Sequence, residues 1–319
     1  MQSFILKKGD KMKKEIFREK TVENDIELKN GKEPFSEKTA ENGVQYLYVP
    51  EIDDKYPVRT FFTTRKGGVS EGAFDSLNLG YNIQDDPEKV AKNRELVFTS
   101  MGVEEPIVAY PHQVHNDVIA HIDKNNICAD ESGLSDNKIS IDTVCEVPAD
   151  RVLQFPETDA TITDCRGVIL TSLHADCIPV WLYDPVNHAA GVAHAGWRGT
   201  RLDIAAKTAR EMCSCYGSHM SDIIAVVGPG ISQCCFEVGA EVYREFYDML
   251  GDLGELATDD QNGKYHLDLK GINRRLLERA GVDKVLVTEY CTSCRDDLFY
   301  SYRRDDGKTG RMCAGMVLL

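Results

Sequence analysis

The chain contains no run of about 18 apolar residues, the length a helix needs to cross a bilayer, so no membrane span is expected. Near its start only Phe4, Ile5 and Leu6 are apolar before Lys7 and Lys8, too short a stretch for the core of a secretory leader. Positive charge is also scarce. Lys and Arg total 37 against 52 Asp and Glu, a formal net charge of -15. Such a chain repels phosphate polymers and anionic bilayers, so neither nucleic acid nor membrane is an expected partner. A local Arg cluster can still hold a small anion. The Walker spacing of a phosphate loop is missing, and no repeat of fixed period is visible.

Cysteine is plentiful. There are 11, an odd number scattered along the chain with no leader before them, which points to reduced thiols in the cytoplasm. For any one of them the default is a small buried hydrophobe. With 42% hydrophobic and 28% charged residues the composition is that of a soluble globular protein.

Residues 1 to 43 are rich in Lys and Glu with little apolar periodicity, and they are expected to be a mobile extension. Residues 44 to 319 are then a single domain. Val58 to Thr63 has the pattern of a strand, and a basic, Gly-rich turn over 64 to 70 follows it. Asp86 and Pro87 start a helix as N-cap and first residue, with Val90, Val97 and Met101 on its apolar stripe and Gly102 at its end. Val118 to Ile122 reads as a strand, and 123 to 150 as a polar surface insertion. Gly167 to Leu173, Ile178 to Tyr183 and Ala189 to His194 read as three buried strands, the last two joined by a hairpin turn at Asp184-Pro185. Thr200 is placed as a helix cap with Asp203 in the capping-box position, and Ala205, Ala209 and Met212 face inward. A strand at 223 to 227, helices over 238 to 250 and from Asp268 to Gly281, and a strand at 285 to 288 follow. Loose alternation of helices and strands, with hairpins, predicts a mixed-sheet α/β sandwich.

Polar residues break the apolar runs at telling places. His115, Cys177 and His194 each sit at the end or edge of one, separated by 62 and 17 residues. A thiolate with two imidazoles suits zinc, and three protein ligands leave a fourth position open. The same residues also fit three buried polar groups with local hydrogen bonds. A further reading makes Cys177 a nucleophile and His194 its base. In an extended strand His174 and Asp176 point away from Cys177; if the strand bends there, Asp176 can orient a ligand imidazole. Cys291-x-x-Cys294 is a lone pair that needs two more ligands to close a metal site, and Cys234-Cys235 lies far off in sequence. Arg65 with Gly67 and Gly68 can approach an anion closely, or the segment is a plain loop. Arg303, Arg304 and Arg311 can line an anion site, though such residues are more often ion-paired at the surface.

Several motifs occur together and in order: Thr64-Arg65-x-Gly67-Gly68-Val69-Ser70, Ser76-Leu77-Asn78-Leu79-Gly80, Gln113-Val114-His115, Thr158-Asp159-Ala160, His174-Ala175-Asp176-Cys177, Ala193 to Gly199, Gly228 to Ile231, Cys235 to Val238, and Ser301 to Arg304 with Gly310-Arg311. Over about residues 56 to 319 the chain resembles the laccase-domain family. Its members were first described as multicopper polyphenol oxidases and later as purine nucleoside phosphorylases with adenosine deaminase activity; bacterial ones are also described as peptidoglycan editing factors. The resemblance implies zinc held by His115, Cys177 and His194, and a mixed α/β sandwich with distant likeness to cysteine-hydrolase toxins. Asn116 stands where the family carries a small residue, and the 123 to 150 segment is longer than the family pattern.

The expected activity is zinc-dependent phosphorolysis of adenosine, inosine, guanosine and S-methyl-5'-thioadenosine, with deamination of adenosine. Expected phosphate and ribose contacts are Arg65, Gly67, Gly68 and Asn78. The expected assembly is a monomer or homodimer. Two alternatives stay open: a Cys177/His194 hydrolase or amidase acting on a cell-wall precursor, and a non-catalytic metal-binding partner protein. A multicopper oxidase is not expected, because the chain has 8 histidines and no His-x-His pair.

Overall fold

A computed structural model describes residues 20–21, 33–81, 83–103, 106–123 and 152–319. All but residue 123 of the expected polar insertion, and most of the expected extension, lie outside the described residues.

Two mixed sheets stack face to face. The first has eight described strands, in the order Lys20–Thr21, Ser36–Thr39, Gln45–Tyr48, Val58–Thr63, Met312–Leu318, Val168–His174, Ile107–Pro111 and Val152–Phe155. The second has six, in the order Lys284–Val287, Ile224–Val227, Ile178–Asp184, Ala189–Ala195, Ala160–Thr163 and Ile119–Ile122. A small third sheet of Glu237–Gly239, Lys264–Leu267 and Ala257–Asp259 adds Val238 and Leu267 to the core beside the second.

Strand alternation decides which side chain enters which layer. Leu170 and Met316 of the first sheet meet Trp181, Tyr183 and Val192 of the second in the central core. On the outer face of the second sheet, Val180, Leu182 and Ala193 pack against Ala205, Ala209 and Met212 of the helix Ile204–Tyr216 and Ile272 and Leu276 of the helix Leu269–Ala280. On the outer face of the first, Phe61, Ile169 and Val317 cover Val97, Phe98 and Met101 at the end of the helix Pro87–Ser100. The result is the expected mixed-sheet α/β sandwich, as four layers. No helix among the described residues is long and apolar enough to cross a membrane.

Most local expectations hold. The three buried strands are present, and the second and third form an antiparallel hairpin from Ile178↔Ala195 to Asp184↔Ala189. Asp86 caps its helix by accepting from the Glu88 amide, and Asp268 accepts from that of Gly271. Three expectations need correcting. Ser36–Thr39 pairs with Gln45–Tyr48, so this part of the 1 to 43 stretch belongs to the sheet. Thr200 lies inside a short helix, Trp197–Arg201, that starts where Gly196 ends the strand; its hydroxyl bonds the Ala195 carbonyl, and Asp203 pairs with Arg210. The helix expected from Val238 begins at Ala240, because Glu237–Gly239 is taken up by pairing with Lys264–Leu267.

Gly315 sits mid-strand where the two sheets approach. A Cβ there would lie 2.2 Å from Phe61 Cζ and 2.8 Å from the Leu170 carbonyl oxygen. The Gly315 carbonyl also accepts from the buried Trp181 indole at 2.9 Å. Gly315→Ala is expected to destabilise the fold by about 1–3 kcal/mol through overpacking, read as a lower urea midpoint. An unchanged midpoint would contradict this packing.

Candidate metal centre

Three segments leave the first sheet at one end and cross to the second. The strand Ile107–Pro111 runs parallel to Val152–Phe155 and to Val168–His174, so all three finish at the same edge. From there the chain passes to Ile119–Ile122, Ala160–Thr163 and Ile178–Asp184 of the second sheet. His115, Asp159 and Cys177 lie on these crossovers. His194 comes from the neighbouring antiparallel strand, in register with Pro179.

The side chains converge. Cys177 Sγ is 3.8 Å from His115 Nε2, and one ligand atom from each of His115, Cys177 and His194 lies within 4.8 Å of the others. A tetrahedral ion with Zn–S near 2.3 Å and Zn–N near 2.0–2.1 Å spaces its sulfur and nitrogen ligands by about 3.5 Å, so the trio fits such an ion with little adjustment. Gly196 allows this closeness: a Cβ there would lie 2.9 Å from Cys177 Sγ and 3.0 Å from His115 Cδ2.

One carboxylate sets both imidazoles. Asp159 is fully buried. Its Oδ1 lies 2.8 Å from His194 Nδ1, so that nitrogen carries the proton and Nε2 is left to ligate. The same carboxylate accepts the backbone amides of Val114 at 3.0 Å, His115 at 3.0 Å and Asn116 at 2.9 Å. These bonds hold His115 at φ 64, a left-handed conformation uncommon for non-glycine residues.

The electrostatics are those of a coupled pair. Burial disfavours the Cys177 thiolate, but His194 and His115 outweigh it and bring the thiol down to about 6. Burial likewise opposes the His194 cation, yet the Cys177 thiolate and Asp159 lift it to about 9. Without metal, a thiolate–imidazolium pair therefore exists between about pH 6 and about pH 9. Burial, then His194, hold His174 well below the ordinary imidazole range. Neutral His174 donates from Nδ1 to the Cys177 carbonyl, and its Nε2 faces the Ser172 hydroxyl.

Asp176 does not orient a ligand imidazole; Asp159 does. Asp176 accepts from the Thr292 hydroxyl and the Arg303 amide, and its carbonyl accepts from Ile231. It ties three loops together beneath the site at φ 97.

The trio opens into a cavity of about 1000 Å³. Arg94, Arg198, Arg303 and Arg311 line it, with the aromatic rings of Tyr81, Tyr110, Trp197, Phe236 and Tyr302. The arginines are held by carbonyls and rings: Arg94 by the Leu79 carbonyl, Arg303 by those of Cys235 and Glu237, Arg311 by those of Thr309 and Gly310, and Arg198 over the Trp197 ring. Such anchoring fixes the guanidinium groups and leaves their charge for an anion. Arg304 instead pairs with Asp305.

The expected anion loop is placed elsewhere. Arg65, Gly67 and Gly68 are not among the cavity-lining residues. Arg65 is a strut, bonded to the carbonyls of Asp75 and Asp296 and stacked on Tyr300. Gly67 and Gly68 are required by backbone crowding, since a Cβ would lie 2.2 Å from the Gly43 oxygen or 2.4 Å from the Ser76 oxygen. Asn78 is fully buried and accepts the amides of Gly80 and Arg311, so it shapes the cavity wall from behind. Residue reasoning missed Arg94 and Arg198, and gave Asp159 no role although its motif was visible. Only its place directly before an apolar strand hinted at one.

The profile of a family described as multi-copper polyphenol oxidoreductase laccase matches residues 59–319. The chain is 39% identical over 253 residues to a purine nucleoside phosphorylase of Deinococcus radiodurans, covering 79% of this chain and 86% of that one. It is 31% identical over 262 residues to adenosine deaminase RL5 of an unknown prokaryotic organism, covering 81% and 93%. Among solved structures, the Bacillus licheniformis hypothetical protein YfiH superposes with a TM-score of 0.74 at 35% identity, covering 86% of this chain and 96% of that one.

Two outcomes test the site. Asp159→Asn is expected to weaken zinc binding by about 10–100-fold, measured by competition with a chelator; unchanged affinity would remove the orienting role. In the metal-stripped chain, alkylation of Cys177, taken against a Cys177→Ala background, is expected to rise through about pH 6, and zinc is expected to block it. A rise only near the free-thiol value of about 8.5 would contradict the ion pair.

Proposed function

The chain belongs to the multi-copper polyphenol oxidoreductase laccase family, and on that premise we propose that it is a zinc-dependent purine nucleoside phosphorylase that also deaminates adenosine. Its substrates are adenosine, inosine, guanosine and S-methyl-5'-thioadenosine. Phosphorolysis turns each, with phosphate, into a free base and a pentose 1-phosphate. The observation that carries this reading is the three-ligand site open to a cavity lined by four anchored arginines.

His115, Cys177 and His194 would hold the zinc, which supplies Lewis-acid activation of water at neutral pH for attack on the purine. The rest falls to the chain's own groups. Fixed guanidinium groups aimed into a recessed site stabilise phosphate beside the ribose carbon and the charge that builds as the glycosidic bond breaks. Arg311 and Arg94 suit this role; Arg65, Gly67 and Gly68 support the fold, and Asn78 acts through the Arg311 backbone. The rings of Trp197, Phe236 and Tyr302 offer flat apolar faces for a purine. All three ligands come from one chain, so a monomer or a homodimer serves equally. A cytoplasmic setting, where thiols stay reduced, suits a chain with 11 cysteines.

One observation favours a second reading. Cys177, His194 and Asp159 are ordered as nucleophile, base and orienting carboxylate, the arrangement of a cysteine hydrolase or amidase. Metal content separates the two. The first reading requires one zinc at this site, lost in Cys177→Ala together with activity. The second requires activity in the metal-stripped chain.

Incubation with inosine and phosphate is expected to yield hypoxanthine and ribose 1-phosphate in equal amounts. Arg311→Ala is expected to raise KM for phosphate more than KM for the nucleoside. Absence of hypoxanthine would overturn the phosphorylase reading. Equal effects on both KM values would remove Arg311 from the phosphate site.

A further inference from the structure

A second group of donors lies outside the cavity's ligand set. Cys234 and Cys235 follow the Gly228-Pro229-Gly230 turn after the strand Ile224–Val227, and Cys291 and Cys294 follow the strand Lys284–Val287. These strands are parallel neighbours, so both cysteine pairs leave the same end of the sheet. The separation of about sixty residues that hid the match in sequence vanishes in space.

Cys234 Sγ lies 3.6 Å from Cys235 Sγ and 3.6 Å from Cys294 Sγ, and Cys235 Sγ lies 3.4 Å from Cys294 Sγ. All four sulfurs, Cys291 included, are within 4.8 Å of one another. A disulfide holds its sulfurs near 2.05 Å, far closer than these. The edges of a tetrahedron with four metal–sulfur arms near 2.3 Å are about 3.8 Å. None of the nine described cysteines is in a disulfide.

One backbone donor is already aimed at a sulfur of the cluster. The Ser232 amide points at Cys291 Sγ at 3.4 Å. Lys270, 4% exposed, and Arg295 line the same 490 Å³ recess as Cys234, Cys291 and Cys294. Glu33, Asp268 and Glu289 line it as well, Arg295 pairs with Asp297, and the Lys270 ammonium donates to the Thr288 and Tyr290 carbonyls. The backbone is already stitched across the gap, with Gly230 bridged to Cys291 and the Thr292 amide bonded to the Gly230 carbonyl.

We propose that Cys234, Cys235, Cys291 and Cys294 form a second, structural zinc site. Four sulfur donors in a tetrahedral cage suit zinc and fill its coordination, so this site has no open position for substrate. Binding takes up one zinc ion and releases the four thiol protons to solvent, with no change of oxidation state. The site clamps two loops that wall the cavity: Ile231 and Phe236 line it, Arg303 bonds the Cys235 and Glu237 carbonyls, and Arg304 bonds those of Thr292 and Ser293.

Native mass spectrometry of the full chain, purified under reducing conditions with zinc, is the test. Wild type is expected to carry two zinc ions, Cys177→Ala one, Cys294→Ser one, and the double variant none. Cys294 and Cys234 are exposed, so serine at either is compatible with folding, and Cys234→Ser is the second variant. Cys177→Ala loaded with cobalt(II) is expected to show the intense thiolate-to-metal absorption of a tetrahedral four-sulfur site, absent once Cys294→Ser is added. A single zinc that disappears wholly in Cys177→Ala would overturn the proposal. So would a disulfide among the four cysteines in the zinc-replete chain, or iron in place of zinc.

Discussion

The Asp159 carboxylate is the interaction on which the rest of the site depends. It is fully buried and its charge is met on several sides, by the His194 ring and by three successive amides of the His115 loop. Burial alone would push its pKa up, but His194 and the backbone donors outweigh that and hold it below the ordinary carboxylate range. A buried charge with this many partners is tolerable only while all of them stay in place. The ring of His194 and the backbone of His115 are thus set by a single group that need not touch substrate.

That arrangement relies on topology. Three parallel strands of the first sheet end at one edge, and each hands the chain to the second sheet there. Crossovers between stacked sheets leave the regular backbone ladder, so their amides are free to be claimed by side chains. Asp159 claims three of them, while the Asp176 carboxylate accepts the Thr292 hydroxyl and the Arg303 amide and its backbone carbonyl accepts the Ile231 amide. The two aspartates divide the work of fixing the cavity's floor and wall. The four-cysteine cluster adds a third tie on the side of that wall.

The charge pattern resolves an apparent conflict. A chain of net charge -15 is a poor host for phosphate on average. The cavity nevertheless gathers Arg94, Arg198, Arg303 and Arg311, each fixed by carbonyls or an aromatic face. Local field, and not net charge, governs binding of a small anion, and an acidic exterior adds selection against large polyanions.

Much was legible in the residues themselves. The apolar runs predicted the central strands, Asp86 and Asp268 marked helix starts, and the ends of those runs offered His115, Cys177 and His194 as candidates that the family resemblance made a ligand set. These signals are local: side-chain period, capping chemistry and the cost of a polar group in an apolar run act within a few residues. Other features were not legible for the opposite reason. Arg65 and the Gly67-Gly68 turn have the chemistry of an anion loop, but crowding against Gly43 and Ser76 uses it for packing. Asp159 and Asp176 are alike in sequence, and only the crossovers decide which of them reaches His194. Cys234-Cys235 and Cys291-x-x-Cys294 become one cluster only because their strands lie side by side. The sequence by itself determined the donors, the elements and the layered class; the tertiary structure decided which donors meet, because meeting depends on strand order and on crossovers between sheets, which no local pattern encodes.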